Sequence, residues 1–330
     1  LLSRRQRQMC IRDRYITNTL EFKIEESTVI SLGKFDGLHR GHELLMKNLM
    51  QKKQEHGYQA VVFTFDIPPR AEVADVEAHV LTTNEEKRWI FEHTGIDYLI
   101  ECPFTQEIMH MPPEEFVRWM VEALHVKCFV VGKDFHFGYQ RKGDYQVLQQ
   151  HAKTYGYEVV VLDKMQEYGR DISSTFIREE IACGNIEKAN ELLGYSFFAK
   201  AKIIHGKQLG RTIGIPTINM ELPKEKLLPP RGVYATKVWI DHKWYAGVTN
   251  VGCKPTVSNT GKVGVETNIL NFEADLYGKD LEVFFLHFIR PEKKFDSVES
   301  LKEQIERDVQ TSREYFEKNI LLYDENINKR

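Results

Sequence analysis

The sequence predicts a parallel α/β domain followed by a second, all-β domain, and three observations carry that expectation. At 330 residues the chain exceeds one ordinary domain. From Thr28 to about Leu193, short β-branched runs alternate with stretches of helical periodicity, the pattern of parallel strands joined by crossover helices. Beyond Gly194 the helical stretches cease, and β-branched and aromatic runs bounded by Gly, Pro, Asn or Asp follow one another closely. Strands in succession without intervening helices make an antiparallel barrel or sandwich.

In the first region strands are expected over 28–32, 59–65, 97–100, 128–131 and 158–162, and helices near 42–56, 84–94, 113–125 and 144–155, with a last short helix over 185–193. The second region places strands over 197–205, 232–240, 243–251, 262–271 and 281–290. A helix over 296–318 closes the chain. Asp296 and Glu299 suit a capping box there, Val298, Leu301, Ile305 and Val309 share one stripe, and the polar residues beyond are expected to fray. The domain boundaries that follow are 20–194 and 195–330, with residues 1–19 as a disordered or extraneous extension outside either core.

That extension begins with Arg4, Arg5, Arg7, Arg12 and Arg14 against Asp13 alone, without the apolar stretch of a secretory leader. The chain as a whole carries a formal charge of only -3, so its bulk field does not suit nucleic acid. No apolar run approaches the roughly 20 residues of a membrane span. The five cysteines are scattered and form no C-x-x-C, which favours a reducing, cytoplasmic setting over a disulfide framework. Small-molecule substrates are the partners expected; oligomeric state is not legible.

Chemistry concentrates first in Gly33-Lys34-Phe35-Asp36-Gly37-Leu38-His39-Arg40-Gly41-His42, between a strand and a helix. A helix N-terminus offers unpaired N–H groups and the positive end of the dipole, which suits an anion. His39 and His42, three apart, share a helix face and can donate to one phosphate, while Gly41 lets ligand and backbone approach. The pair could also be half a metal site, but no nearby Cys, Asp or Glu set completes one. The stretch is neither a P-loop nor a dinucleotide G-x-G-x-x-G turn. It resembles the G-x-F-D-x-x-H-x-G-H signature of nucleotidyltransferases, which implies a Rossmann-like domain whose two histidines steady the triphosphate and the pyrophosphate leaving group, with Gly33, Phe35, Asp36 and Gly41 shaping the ATP site.

Two further polar turns follow strands of the same sheet. Gly132-Lys133-Asp134-Phe135-His136-Phe137-Gly138 combines two glycines, an acid and aromatics, and Ile172-Ser173-Ser174-Thr175-Phe176-Ile177-Arg178 offers helix-capping hydroxyls and an arginine for phosphate. With the Gly33 stretch, in that order, they resemble the adenylyltransferase module of bacterial bifunctional riboflavin kinase/FAD synthetase. The resemblance puts Gly132, Asp134, Phe135, Phe137 and Gly138 on the flavin side, and Ser173, Ser174, Thr175 and Arg178 at the nucleotide. Thr64-Phe65-Asp66-Ile67-Pro68-Pro69 stands where that family has T-F-x-P-H-P, but lacks the histidine, so no role is carried onto it.

In the second domain, Gly206-Lys207-Gln208-Leu209-Gly210-Arg211-Thr212-Ile213-Gly214 can wrap a phosphate with N–H groups and cationic side chains. Thr217 and Asn219, two apart in an extended segment, point the same way as oxygen ligands for Mg2+. A glycine-rich loop is by itself ordinarily a hairpin loop. The continuation, with Gly232-Val233-Tyr234-Ala235, Asn250-Val251-Gly252-Cys253-Lys254-Pro255-Thr256, Val265-Glu266 and Asp275-Leu276-Tyr277-Gly278, resembles the riboflavin kinase module through Arg290. The resemblance implies an antiparallel β-barrel in which Gly206, Gly210, Arg211 and Gly214 bind ATP, Thr217 and Asn219 serve Mg-ATP, Glu266 is the general base and Arg290 lies on the flavin side.

The activity implied is phosphorylation of riboflavin to FMN in the C-terminal domain and adenylylation of FMN to FAD in the N-terminal one, with ATP and Mg2+. Two readings compete. An adenylyltransferase for another acceptor, such as phosphopantetheine or nicotinamide mononucleotide, is opposed by the turn at Gly132 and the second domain. A flavin-binding regulator that has lost catalysis is opposed by the presence of Glu266, Thr217, Asn219, His39 and His42.

Overall fold

The computed structural model describes residues 15–66, 79–206, 210, 214–253 and 263–327, the side chains of Cys253 and of 320–327 excepted. The chain separates into two compact units, one running to residue 76 and from 83 to 173, the other comprising 77–82 and everything from 174 onward.

The first unit is a six-stranded, all-parallel sheet. Its strands are β1 (Tyr15–Thr17), β2 (Thr28–Leu32), β3 (Gln59–Phe65), β4 (Tyr98–Cys102), β5 (Val126–Gly132) and, after the short hairpin of β6 (His136–Phe137) with β7 (Gly143–Asp144), β8 (Glu158–Leu162); the order is β1-β4-β3-β2-β5-β8. Alternate residues of the central strands go to opposite faces. Ile30, Val61, Phe63, Phe129 and Val131 meet Phe116, Val117 and Met120 of α4 (Pro113–Leu124) and Leu148 of α5 (Tyr145–Tyr155) on one side. Val29, Ala60, Val62 and Val130 meet Leu45, Met46 and Leu49 of α1 (Arg40–His56) and Phe91 of α2 (Asn84–Phe91) on the other. Strand order reverses between β2 and β5, and in such sheets the crevice at the carboxyl ends of the diverging strands takes the ligand.

Two elements of this unit depart from expectation. Tyr15–Thr17, inside the stretch expected as an extension, pairs in parallel with β4 and forms the sheet edge; three residues beside an arginine-rich stretch are too few to show periodicity. Gln106–His110 forms α3, a single turn capped by the Thr105 hydroxyl, where no helix was expected. Residues 1–14 and positions 67–69 of the 64–69 loop lie outside the described residues.

The second unit is a closed antiparallel barrel, so both expected classes are realised. Its strands are β11 (Phe198–Ile204), β12 (Ile218–Met220), β13 (Gly232–Ile240), β14 (Lys243–Cys253), β15 (Val263–Ile269) and β16 (Asp280–Pro291), in the order β11-β12-β15-β14-β13-β16; the two-stranded ribbon of β9 (Gln166–Glu167) with β10 (Arg170–Asp171) belongs to the first unit. Closure removes the exposed edges an open sheet would carry. β12 is too short to read from sequence.

Helices α6 (Ser174–Ala182) and α7 (Ile186–Leu193) group with the barrel, so the compact units divide well before the expected boundary at 194. Side chains explain it: Asn190 accepts the Phe197 N–H at 2.7 Å and donates to the Phe285 carbonyl at 2.9 Å, and Glu187 pairs with His287. The last helix, α8 (Val298–Ile327), starts later and runs further than expected. Ser297 and Ser300 form its reciprocal cap, Oγ of Ser297 accepting the Ser300 N–H at 3.1 Å, in place of Asp296 with Glu299. Among its described residues the most buried side chains are Asp308 and Ser312 rather than the apolar stripe, and Val298 is half exposed.

Candidate active sites

At the carboxyl end of β2 the chain turns through Phe35 (φ 47), Gly37 (φ 82) and Leu38 (φ 33), two of them non-glycine residues in a costly region. Packing holds them there. The Phe35 ring is 1% exposed, meets His42 at 5.2 Å and Phe91 at 5.9 Å, and lies so close over Gly33 that a Cβ on Gly33 would sit 3.2 Å from it. His39 is the N-cap of α1 and makes no side-chain capping bond. Its ring stacks on that of His42 at 3.8 Å, and Gly41 leaves it room, since a Cβ there would lie 3.1 Å from Nδ1. Burial drives the His39 pKa down to about 4 and that of His42 well below its ordinary value, so both are neutral at pH 7. Neither Nδ1 has a hydrogen-bond partner among the described residues.

The turn after β5 meets this pair electrostatically, the Asp134 charge opposing the fall of the His39 pKa. Phe135 stacks on Phe137 at 5.5 Å, and Phe137 packs on Phe116. Gly138 has φ 70 and lies against Pro113, so a side chain there would clash. Gly132 accepts the Phe135 N–H at 3.0 Å, closing the turn. Lys164 bridges Asp134 at 3.1 Å and Asp171 at 3.4 Å, and with Lys133, Asp163 and Gln166 they line a cavity of about 370 Å³. Ile172 and Arg40, the latter paired with Glu167 at 2.8 Å, bring the end of the unit to the signature turn. Ser173 belongs to this unit; Ser174, Thr175 and Arg178 belong to the other, where Arg178 Nε donates to the His79 carbonyl at 3.1 Å.

In the barrel, Asn219 on β12 stands directly opposite Glu266 on β15. Asn219 is 4% exposed and its Oδ1 has no partner among the described residues. Gly206 lies against its carboxamide, where any Cβ would collide. Gly210 accepts the Ile215 N–H at 2.8 Å, Gly214 has φ 77, and Thr217 immediately precedes β12. Arg211 lies outside the described residues. Arg290 is committed to Asp308, with Nε–Oδ1 at 2.9 Å and Nη2–Oδ2 at 2.7 Å, which ties α8 to β16.

Comparison with known proteins decides the family. The FAD synthetase family model matches residues 21–176 and the riboflavin kinase model matches 193–316. A bifunctional riboflavin kinase/FMN adenylyltransferase of Listeria monocytogenes is 36% identical over 292 residues, 88% of this chain and 93% of that protein. The chain belongs to the bifunctional riboflavin kinase/FMN adenylyltransferase family. Its Escherichia coli K12 member is 36% identical over 295 residues, covering 88% of this chain and 94% of that one. A crystal structure titled as a macrolide-efflux protein from Streptococcus pneumoniae superposes with TM-score 0.80 at 30% identity, over 91% of this chain and 98% of that one. Among the described residues here, no helix is long and apolar enough to cross a membrane.

Motif reading passed over one feature of this family member, a buried charged cluster at the ends of β3 and β4. Lys87 of α2 is 2% exposed; burial lowers its pKa, against the pull of Glu101, Asp36 and Asp66. Arg88 holds Glu101 at 2.6 Å, and Asn84 donates to Asp66. These residues are far apart in sequence, and only the sheet order brings them together.

Proposed function

We propose that the second unit phosphorylates riboflavin to FMN and the first transfers the adenylyl group of ATP to FMN, giving FAD and pyrophosphate. One observation supports assigning a separate site to each unit: buried polar atoms without partners fall on residues chosen for ligand binding in both, His39 and His42 Nδ1 in one and Asn219 Oδ1 in the other. Buried polar atoms are ordinarily satisfied, so an orphan at a ligand position is a donor or acceptor kept for substrate.

In adenylyl transfer an FMN phosphate oxygen attacks the α-phosphorus of ATP; the new P–O bond forms as the bond to the β-phosphate oxygen breaks and pyrophosphate departs with the electron pair. The neutral imidazoles of His39 and His42 donate to phosphate oxygens whose charge grows in the transition state. Cys102 and Cys128, the described cysteines of this unit, are unsuited as nucleophiles, because burial raises the thiol pKa of each to about 12. Asp134 and the Phe135–Phe137 stack suit the flavin side, and Ser173, at the end of the same unit, the nucleotide.

In the kinase reaction Glu266 takes the proton of the ribityl 5′-hydroxyl as that oxygen bonds to the γ-phosphorus and ADP leaves. Asn219 fits Mg2+, because its buried Oδ1 has no partner among the described residues and such a hard cation selects an oxygen donor, and the Thr217 hydroxyl two residues before it can join as a second oxygen ligand. A Mg2+ ion held by these oxygens would supply positive charge against the phosphates. Gly206, Gly210, Arg211 and Gly214 wrap the ATP phosphates.

Chromatography of flavins after incubating the protein with riboflavin, ATP and Mg2+ tests the reading. FMN followed by FAD is expected. FMN alone would assign the first unit another acceptor, and flavin binding without product would make the protein a regulator.

A further inference from the structure

The barrel sets one more polar side chain in line with the kinase residues. Register pairs Asn219 of β12 with Glu266 of β15, and Glu266 in turn with Asn250 of β14. Residues directly opposite across antiparallel strands project from the same face, with Cβ atoms roughly 5 Å apart. Asn219, Glu266 and Asn250 are therefore a three-residue polar row running across three strands. Among the described residues, neither the Glu266 carboxylate nor the Asn250 carboxamide makes a hydrogen bond, although both are half-buried. The two ends of the row are built alike. Gly206 clears space for the Asn219 carboxamide, and Gly252 does so for Asn250, since a Cβ there would lie 3.0 Å from Asn250 Nδ2 and would also collide with the Glu292 carboxylate.

The row has a direction. On the reading of the kinase site above, Asn219 marks the phosphate-donor end and Glu266 the reacting hydroxyl, so the next position away from the donor faces the rest of the acceptor. We propose that Asn250 recognises the acceptor's polyol chain, its carboxamide hydrogen-bonding secondary hydroxyls adjacent to the one that is phosphorylated. A carboxamide suits this task, because it both donates to and accepts from a hydroxyl and has no charge to compete with Glu266 for the proton. The spacing also suits it: adjacent strands lie about 4.8 Å apart, roughly four carbon–carbon bonds of an extended polyol, so a side chain one strand on from Glu266 falls among the secondary hydroxyls.

The test compares riboflavin with a flavin carrying an unbranched 5-hydroxypentyl chain, which keeps the reacting hydroxyl and lacks the secondary ones. The intact enzyme should favour riboflavin by at least about tenfold in kcat/KM, the worth of one good hydrogen bond. Asn250→Ala should raise the riboflavin KM about tenfold and erase most of that preference, with the ATP KM and FAD formation from added FMN unchanged. Asn250→Ser, which puts a shorter hydrogen-bonding hydroxyl in place of the carboxamide, should fall between the two and carries the same comparison if the alanine variant does not fold. Unchanged preference in the folded variant, or a rise in the ATP KM instead, overturns the role of Asn250. Failure of the intact protein to form FMN would overturn the kinase reading beneath it, a distinguishable result.

Discussion

The two units display their chemistry in different ways. In the parallel sheet, the residues proposed to act sit on turns beyond the strands: Gly33 to His42 is one contiguous stretch, with His39 and His42 brought ring to ring by a single helical turn. In the barrel they sit on the strands themselves, and Asn219 meets Glu266 only because β12 pairs with β15 in one register. A turn site depends on local backbone and on what packs beneath it, as Phe35 does beneath His42. A strand site depends on pairing across distant segments, where a slip of one residue would send a side chain to the opposite face.

Substitutions can break that comparison. The largest effect is expected for Glu266→Gln, which should slow FMN formation about 10³-fold while FAD formation from added FMN proceeds; flavin chromatography on each half-reaction reads it. The mirror image, His42→Ala, should slow FAD formation about 10²-fold and spare FMN formation. If either variant lost both activities equally, the two units would not hold separate sites.

A structural substitution sharpens the contrast. Asp308 is almost fully buried and pairs with Arg290 at 2.7 Å, so Asp308→Asn leaves a largely buried guanidinium uncompensated, at about 3 kcal/mol. FMN-forming activity should then be lost on heating at a lower temperature than in the intact protein, with the inactivation temperature of FAD formation unmoved.

The effect that is smallest at neutral pH, because it develops only on acidification, is a pH slope in the first unit. The His39 pKa is near 4 in the folded chain against about 6.5 unfolded, so between those values the unfolded chain binds a proton that the folded one refuses. Stability that is fully present above about pH 6.5 should fall as pH drops toward 4. In a denaturation-against-pH curve, His39→Gln should reduce that slope and leave the part His42 contributes; an unchanged slope would mean the His39 imidazole is protonated in the folded protein.

Much of this molecule was legible in its residues. The order of strands and helices, the change to an all-β texture after Gly194, and the His39–His42 turn are encoded locally, because hydrophobic period, turn residues and short-range geometry act within a dozen positions. Tertiary structure alone decided what depends on long-range pairing: that α6 and α7 group with the barrel, that three-residue strands such as β1 and β12 form at all, that Ser297 rather than Asp296 caps α8, and that Arg290 is committed to Asp308. It also decided which polar atoms are left buried without a partner, since burial is a property of the packed molecule and of no single segment.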